Sequence, residues 1–206
     1  LTIQSDPSLV STRTTVNPPV ASTAAFYILS SSVNIFGISI ISTNSVSYGV
    51  YVSSQHVSIS SVNIDAAGTI TTSGVEILAS YTTLTNSSMT LTNANTYGIR
   101  VVTPSMFNFI AYSTVATNSS KASLYLNNSD SSTYTGLFVR NAGNVSQSFA
   151  LNIDGGDSNS IKLSTFTTPW IVSVTLQNGA STNTITQSYV ESRNGWSIHF
   201  LGTSSN

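Results

Sequence analysis

The sequence contains no cysteine, which excludes disulfides, thiolate metal sites and a cysteine nucleophile but leaves the compartment open. Charge is nearly as scarce: 6 basic and 7 acidic side chains make up 6% of 206 residues, against about 25% in ordinary globular proteins. Scattered singly around a net charge of −1, they supply no field to steer nucleic acid or an anionic membrane, so nucleic-acid binding is not expected. There is no apolar run of about 18 residues to span a membrane. Leu1 to Val10 lacks the basic and apolar regions of a signal peptide, so an export signal is expected to have been removed or to lie outside this stretch.

What is present is Ser, Thr and Asn at about two-fifths of positions, so hydroxyls and amides must carry solubility. Yet 40% of residues are apolar, many of them Val, Ile, Tyr and Phe, which favour strands; the chain can build a core. A pattern of small residue, apolar, variable, apolar recurs along it. The copies are Ala25-Phe26-Tyr27-Ile28, Gly49-Val50-Tyr51-Val52, Gly74-Val75-Glu76-Ile77, Gly98-Ile99-Arg100-Val101, Ser123-Leu124-Tyr125-Leu126, Ala150-Leu151-Asn152-Ile153, Ile171-Val172-Ser173-Val174 and Ser197-Ile198-His199-Phe200. The first apolar residues stand at 26, 50, 75, 99, 124, 151, 172 and 198, so 172 residues in seven steps give a period near 24.6.

A second apolar set follows each copy. Val33, Ile35, Ile38 and Ile40 correspond to Val57, Ile59, Val62 and Ile64; later coils use Leu84, Met89 and Leu91, then Phe107, Phe109 and Val115, and finally Ile185 and Tyr189. Alternation in pieces of three to five residues, separated by Ser, Asn, Thr and Gly, signals short strands and no helix. Pieces this short suit a coil of three strands and three turns, stacked so that each strand pairs in parallel with its copy one coil on, about 4.8 Å away. The expected fold is all-β, a right-handed parallel β-helix of about 8 coils of 24 to 25 residues, one domain over 1–206. Leu1 to Ser5 reads as a mid-coil strand and Asn206 falls where another begins, so both ends are expected to cut within a repeat. Thr15 to Thr23, with Pro18 and Pro19, is expected to loop out.

Units such as Tyr48-Gly49-Val50-Tyr51-Val52 followed by Val57 to Ile64, and Asn183-Thr184-Ile185-Thr186, resemble the pectin-lyase-like superfamily with its NosD-like parallel β-helix repeats. In the enzymes of that group substrate lies along an outer sheet face. The resemblance therefore draws attention to the outward residue of each copy: Tyr27, Tyr51, Glu76, Arg100, Tyr125, Asn152, Ser173 and His199. The tyrosine rings can stack on sugars, and Glu76 with Arg100 can bind hydroxyls or a carboxylate. As structure alone, the tyrosines pair across strands and Glu76 with Arg100 is a surface ion pair worth about 0 to 1 kcal/mol.

Glycosidic hydrolysis needs two carboxylates about 5 to 9.5 Å apart. Asp65, Asp130, Asp154, Asp157 and Glu191 fall in different coils or turns, and only Asp154 and Asp157 stand close in sequence. Asn63-Ile64-Asp65 and Asn152-Ile153-Asp154 resemble one fragment of the polygalacturonase motifs, but the paired aspartates and Gly-His-Gly are missing. Asp154, Asp157 and Asn159 with Lys162 form a partial set for a calcium-dependent lyase, leaving Ca2+ the only cofactor in view. His56 and His199 have no partner at metal spacing, and no nucleophile elbow, phosphate loop or dinucleotide motif occurs.

Sequons at Asn86, Asn118, Asn127 and Asn144 fall in expected turns and suit glycosylation, although this composition yields roughly six by chance. Ice binding, which uses a regular Thr ladder, is disfavoured because Thr71, Thr83, Thr114 and Thr133 stand at differing offsets from their anchors. The expectation is a non-enzymatic extracellular or cell-surface structural or adhesive solenoid, partnered by a glycan or, end to end, by copies of itself. A polysaccharide lyase or glycoside hydrolase is the alternative.

Overall fold

Short alternating runs bury one face only if another strand lies beside them, and here each run finds its partner one coil away. The computed structural model describes residues 1–5, 13–103, 105–145, 147–170 and 172–202; Ile171 and Asn206, used in the repeat reading, lie outside them. The described residues form 24 strands and no helix. They make three parallel eight-stranded sheets. Sheet A runs from Thr2–Gln4 to Thr184–Thr186, sheet B from Thr14–Val16 to Tyr189–Ser192, and sheet C from Ala24–Ile28 to Trp196–Phe200. The molecule is a parallel β-solenoid.

The core is a column of stacked apolar rungs. Ile35, Ile59, Leu84, Ile110, Tyr134 and Ile161 fill it from sheet A, and Ile40, Ile64, Met89, Val115, Val139 and Phe166 from sheet B. Sheet C contributes two rungs per coil, as at Val50 with Val52 and Ile99 with Val101. Fully burying each of the larger side chains stabilises the fold by about 1.5 to 3 kcal/mol.

Several inward assignments change. In the fourth coil the core residue of sheet A is Ile110, while Phe107 stands exposed at a corner and Phe109 points outward. Near the end, Tyr189 is exposed and Val190 faces the core. The turn from sheet C into sheet A is two residues longer in the fourth coil than in the third, Val101 to Ile110 against Ile77 to Leu84, and Phe109 stands one residue from the inward position, where a displacement of one exchanges the two faces of the strand. Thr15 and Val16 belong to the sheet B strand Thr14–Val16, and only 17–23 lies outside strands; that strand is at a sheet edge and ends before the prolines.

The corners explain much of the composition. Ser32, His56, Tyr81, Phe107, Ser131, Ser158 and Thr182 turn the chain into sheet A, each with φ between 52 and 58°. Gly37, Ser61, Asn86, Tyr112, Gly136, Leu163 and Gln187 turn it into sheet B, again all with positive φ. The left-handed conformation costs a residue with a Cβ roughly 1 to 2 kcal/mol. It is held by hydrogen bonds to the next coil, such as Tyr81 N–H to Met106 O at 3.0 Å and Tyr112 N–H to Thr135 O at 3.0 Å.

At many corners the next residue turns inward and its N–H is satisfied by a side chain one coil on. Thr82 N–H donates to Asn108 Oδ1 (2.8 Å), Ser132 N–H to Asn159 Oδ1 (3.1 Å) and Asn159 N–H to Asn183 Oδ1 (3.0 Å). Ser87, Ser113, Ser164 and Ser188 play the same part at the second corner. Many of the Ser and Asn residues are therefore structural. Asn159 also donates from Nδ2 to Ser129 O at 2.7 Å, so Asn159→Ala should orphan a buried N–H and weaken a buried carbonyl. The expected loss is about 2 to 4 kcal/mol, read as a lower denaturant midpoint.

Candidate functional site

Sheet C carries the outward ladder. Tyr27, Tyr51, Glu76, Arg100, Tyr125 and Asn152 occupy successive rungs in register. The seventh rung is Thr175, not Ser173, and it leads to His199. The anchor of that coil moves with it, from Val172 to Val174. Ser173 then takes the small-residue position that Ile171 had been given, in line with Gly49, Gly74, Gly98, Ser123 and Ala150.

Those small residues are needed because sheet C bends there and neighbouring coils approach closely. A Cβ on Gly49 would lie 2.6 Å from Gly74 O, and one on Gly74 would lie 2.7 Å from Gly98 O. The bend also brings a second set of side chains onto the outer face, three residues before the first: Tyr48, Ser73 and Tyr97, on adjacent coils. Alternation along the strand does not place them there. The Tyr-Gly pairs at 48–49 and 97–98 were the available signal.

Together these residues form a continuous patch. Tyr27 stacks on Tyr51 with ring centroids 4.6 Å apart and planes 6° from parallel, and Tyr48 leans on Tyr51 at 4.9 Å. One coil on, Glu76 Oε1 meets Arg100 Nη1 at 2.7 Å, and Oε2 accepts from Ser73 Oγ at 2.8 Å. Arg100 in turn lies 5.4 Å from the Tyr97 ring centroid and 6.0 Å from that of Tyr125, and those two rings stack at 5.0 Å.

The ladder is far less open than its sequence position suggests. Only Tyr27 is half exposed, whereas Glu76, Asn152 and Thr175 are buried. Glu76 and Arg100 are thus not a surface pair: the Glu76 side chain retains 3% exposure. Burial raises the Glu76 pKa, a shift that Arg100 and Ser73 only partly oppose. Burial likewise raises Tyr48, Tyr51 and Tyr97. Tyr125 is pushed well up, first by burial and then by donating its hydroxyl to Asp154 Oδ2 at 2.6 Å. Its neighbour Asn152, and Thr175 beyond, hold Oδ1 and Oγ1 buried with no hydrogen-bond partner.

A cavity of about 350 Å3 opens on the same face, lined in part by Tyr97, Lys121, Tyr125, Gln147, Phe149 and Asn152. Its walls come from 119–122 and 147–149, between sheets B and C, in the stretch where the ladder step lengthens from Tyr125 to Asn152. Buried Asn141 ties the walls together: Nδ2 donates to Lys121 O at 2.6 Å and Phe149 O at 3.1 Å, while Oδ1 accepts from Ser119 N–H at 3.2 Å.

The acidic candidates are engaged elsewhere. Asp154 accepts from Tyr125 on one oxygen and from Asn178 Nδ2 (2.6 Å) on the other. Asp157 Oδ1 accepts from Ser181 N–H and Oγ. No cluster of three His, Cys, Asp or Glu side chains able to hold a metal occurs among the described residues. His199 packs on Trp196 at 4.5 Å in the last strand, while His56 stacks on Tyr81 at 5.1 Å at a corner.

Asn86, Asn118 and Asn144 are exposed outside strands. Asn127 instead ends the strand Leu124–Asn127 and is half-buried, with its sequon residue Ser129 fully buried. Thr83 and Thr133 do share a ladder on sheet A, through Phe109, and Thr184 follows through Ser160. Uneven turn lengths disguised that register in the offsets. Thr71 and Thr114 lie on sheets C and B.

No protein-family model matches the chain, and no curated protein matches it either.

Proposed function

We propose that this chain is a non-enzymatic structural and adhesive solenoid, displayed extracellularly or at a cell surface, that binds glycans along the outer face of sheet C. The fold is taken as that of the pectin-lyase-like group with NosD-like repeats, used as a scaffold without its catalytic acids. The observation that carries the reading is the stacked Tyr27–Tyr51 pair beside Tyr48, a row of flat amphipathic rings on neighbouring coils. The non-enzymatic part is supported by the carboxylates: Glu76 is buried against Arg100, and both Asp154 oxygens are engaged. A surface whose solubility rests on hydroxyls and amides, with exposed sequons, supports display outside the cell.

The test replaces rings rather than charges, because removing Glu76 would leave Arg100 without its partner. In calorimetric titrations with oligosaccharides chosen from a glycan array, Tyr27→Ala with Tyr51→Ala is expected to weaken binding by about tenfold, with an unchanged circular dichroism spectrum. Unchanged affinity would remove the glycan face. Unsaturated products or new reducing ends from polysaccharide substrates would make the chain a lyase or hydrolase instead.

A further inference from the structure

We propose that the outer face of sheet A orders water into an ice-like layer and so binds the surface of growing ice crystals. This face is separate from the ring patch on sheet C, and the proposal stands or falls without the glycan reading.

Two outward positions per strand carry it. In the first ladder Ser58 pairs in register with Thr83, and Phe109, Thr133, Ser160 and Thr184 follow. In the second, Ser60 leads through Thr85, Ala111, Thr135 and Lys162 to Thr186. Hydroxyls therefore hold both positions in the strands Ser58–Ser60, Thr83–Thr85, Thr133–Thr135 and Thr184–Thr186. Between them Ile59, Leu84 and Tyr134 are fully buried, which turns the residue on either side to the outer face.

The array has the geometry of a lattice. Side chains two residues apart along a strand stand about 6.6 Å apart, and stacked copies about 4.8 Å apart. Oxygen rows on a prism face of ice repeat at nearly these two distances. Sheet A keeps its register throughout, whereas sheet C shifts between Val46 and Tyr48. Copies stacked in constant register with side-chain ladders favour a flat sheet.

Its chemistry suits water more than a charged solute. Thr85 Oγ1 donates to Ser60 Oγ at 3.1 Å, and the other hydroxyls of the four strands have no partner among the described residues, so water completes them. Lys162 is the one charged side chain in the sheet A strands, whereas sheet B carries Asp65, Arg140 and Glu191 and sheet C carries Glu76, Arg100 and Asp154. A fixed charge turns water toward itself and disturbs a neutral lattice. Threonine, branched at Cβ, holds its hydroxyl in few rotamers, so less ordering is left to the moment of binding.

Thermal hysteresis and inhibition of ice recrystallisation, measured on the whole chain against an equal concentration of an unrelated globular protein, test the proposal. The wild-type chain should show both. Thr83→Lys with Thr133→Lys should abolish both, with the circular dichroism spectrum and thermal midpoint unchanged. The same change on exposed residues of sheet B, Thr90→Lys with Thr114→Lys, should leave ice activity intact. Phe109, which interrupts the first ladder at 38% exposure, supplies a gain of function: Phe109→Thr should raise the hysteresis above wild type. No hysteresis from the wild-type chain, equal loss from the sheet B pair, or a hysteresis that neither the sheet A pair nor Phe109→Thr alters overturns the proposal. If the wild-type chain leaves ice growth unchanged but holds crystalline cellulose through Thr83 and Thr133, the array serves a solid carbohydrate and the ice reading falls.

Discussion

Gly98→Ala should be among the most damaging single-atom-group changes in the molecule, lowering stability by about 3 kcal/mol, or roughly 6 to 12 °C in thermal midpoint. The added Cβ would overlap Val115 Cγ1 in the core and stand 2.5 Å from Ser123 O in the next coil. Neither neighbour can withdraw. Val115 is fully buried, and the backbone around Ser123 is held by Ile99 N–H donating to Ser123 O at 2.8 Å. A methyl group at this position therefore pries two coils apart. The double variant Gly98→Ala with Val115→Ala should recover only part of the loss, because the clash with Ser123 O remains. A midpoint within about 2 °C of wild type for Gly98→Ala would show that the coils can separate locally without cost.

Arg100→Met is expected to cost about 3 to 5 kcal/mol at neutral pH, since it leaves the Glu76 carboxylate buried and unpaired. Its pH dependence is the sharper readout. The Glu76 carboxyl in the fold already sits above its ordinary value of 4.5, so the folded chain holds that proton more tightly than the unfolded chain does. The stability linked to it is fully present below about 4.5 and is lost as pH rises through the folded value. Without Arg100 the folded value rises further, so the loss grows and extends to higher pH.

Denaturant midpoints measured from about pH 4 to pH 8 should therefore fall more steeply with pH for Arg100→Met than for wild type. Glu76→Gln with Arg100→Met should flatten the curve and recover most of the stability, because a neutral amide replaces the buried charge. A flat profile for Arg100→Met would mean that water reaches Glu76 once the guanidinium is gone.

These two expectations draw on different kinds of legibility. The Gly98 clash belongs to a repeat visible in the chain itself: a small residue before each apolar pair marks where neighbouring coils approach. The Glu76–Arg100 rung pairing was also visible, because a near-constant period puts residues 24 apart side by side. Its burial was not. The rings of Tyr48 and Tyr97 reach the outer face only through the bend at Gly49 and Gly98, and alternation alone does not foresee a bend.

The seventh coil shows a second limit. A slip of two residues, from Val174 to Val172, keeps every side chain on its proper face, so the apolar pattern could not detect it. Inter-coil pairing decided the register, and Thr175 took the place given to Ser173. Slips of one residue do change faces, but where turns differ in length the apolar set after each anchor does not say which of two neighbours points inward, so Phe107, Phe109 and Tyr189 fit the pattern as well as Ile110 and Val190 do. Phe107 is exposed because it sits at a corner, where hydrogen bonds to the next coil hold even Tyr81, Phe107 and Leu163 at positive φ, whereas Phe109 and Tyr189 are the outward first residues of the strands Phe109–Ala111 and Tyr189–Ser192.

The sequence by itself determined the coil: its period, its three short strands and the alternate residues that fill its interior. In a solenoid each element touches mainly its own copy one period away, so a one-dimensional pattern carries most of the contact map. The tertiary structure alone decided which outward residues meet solvent and which are covered. That depends on loops of unequal length, above all the walls at 119–122 and 147–149, which turn part of an expected open ladder into a cavity around Tyr125 and Asn152.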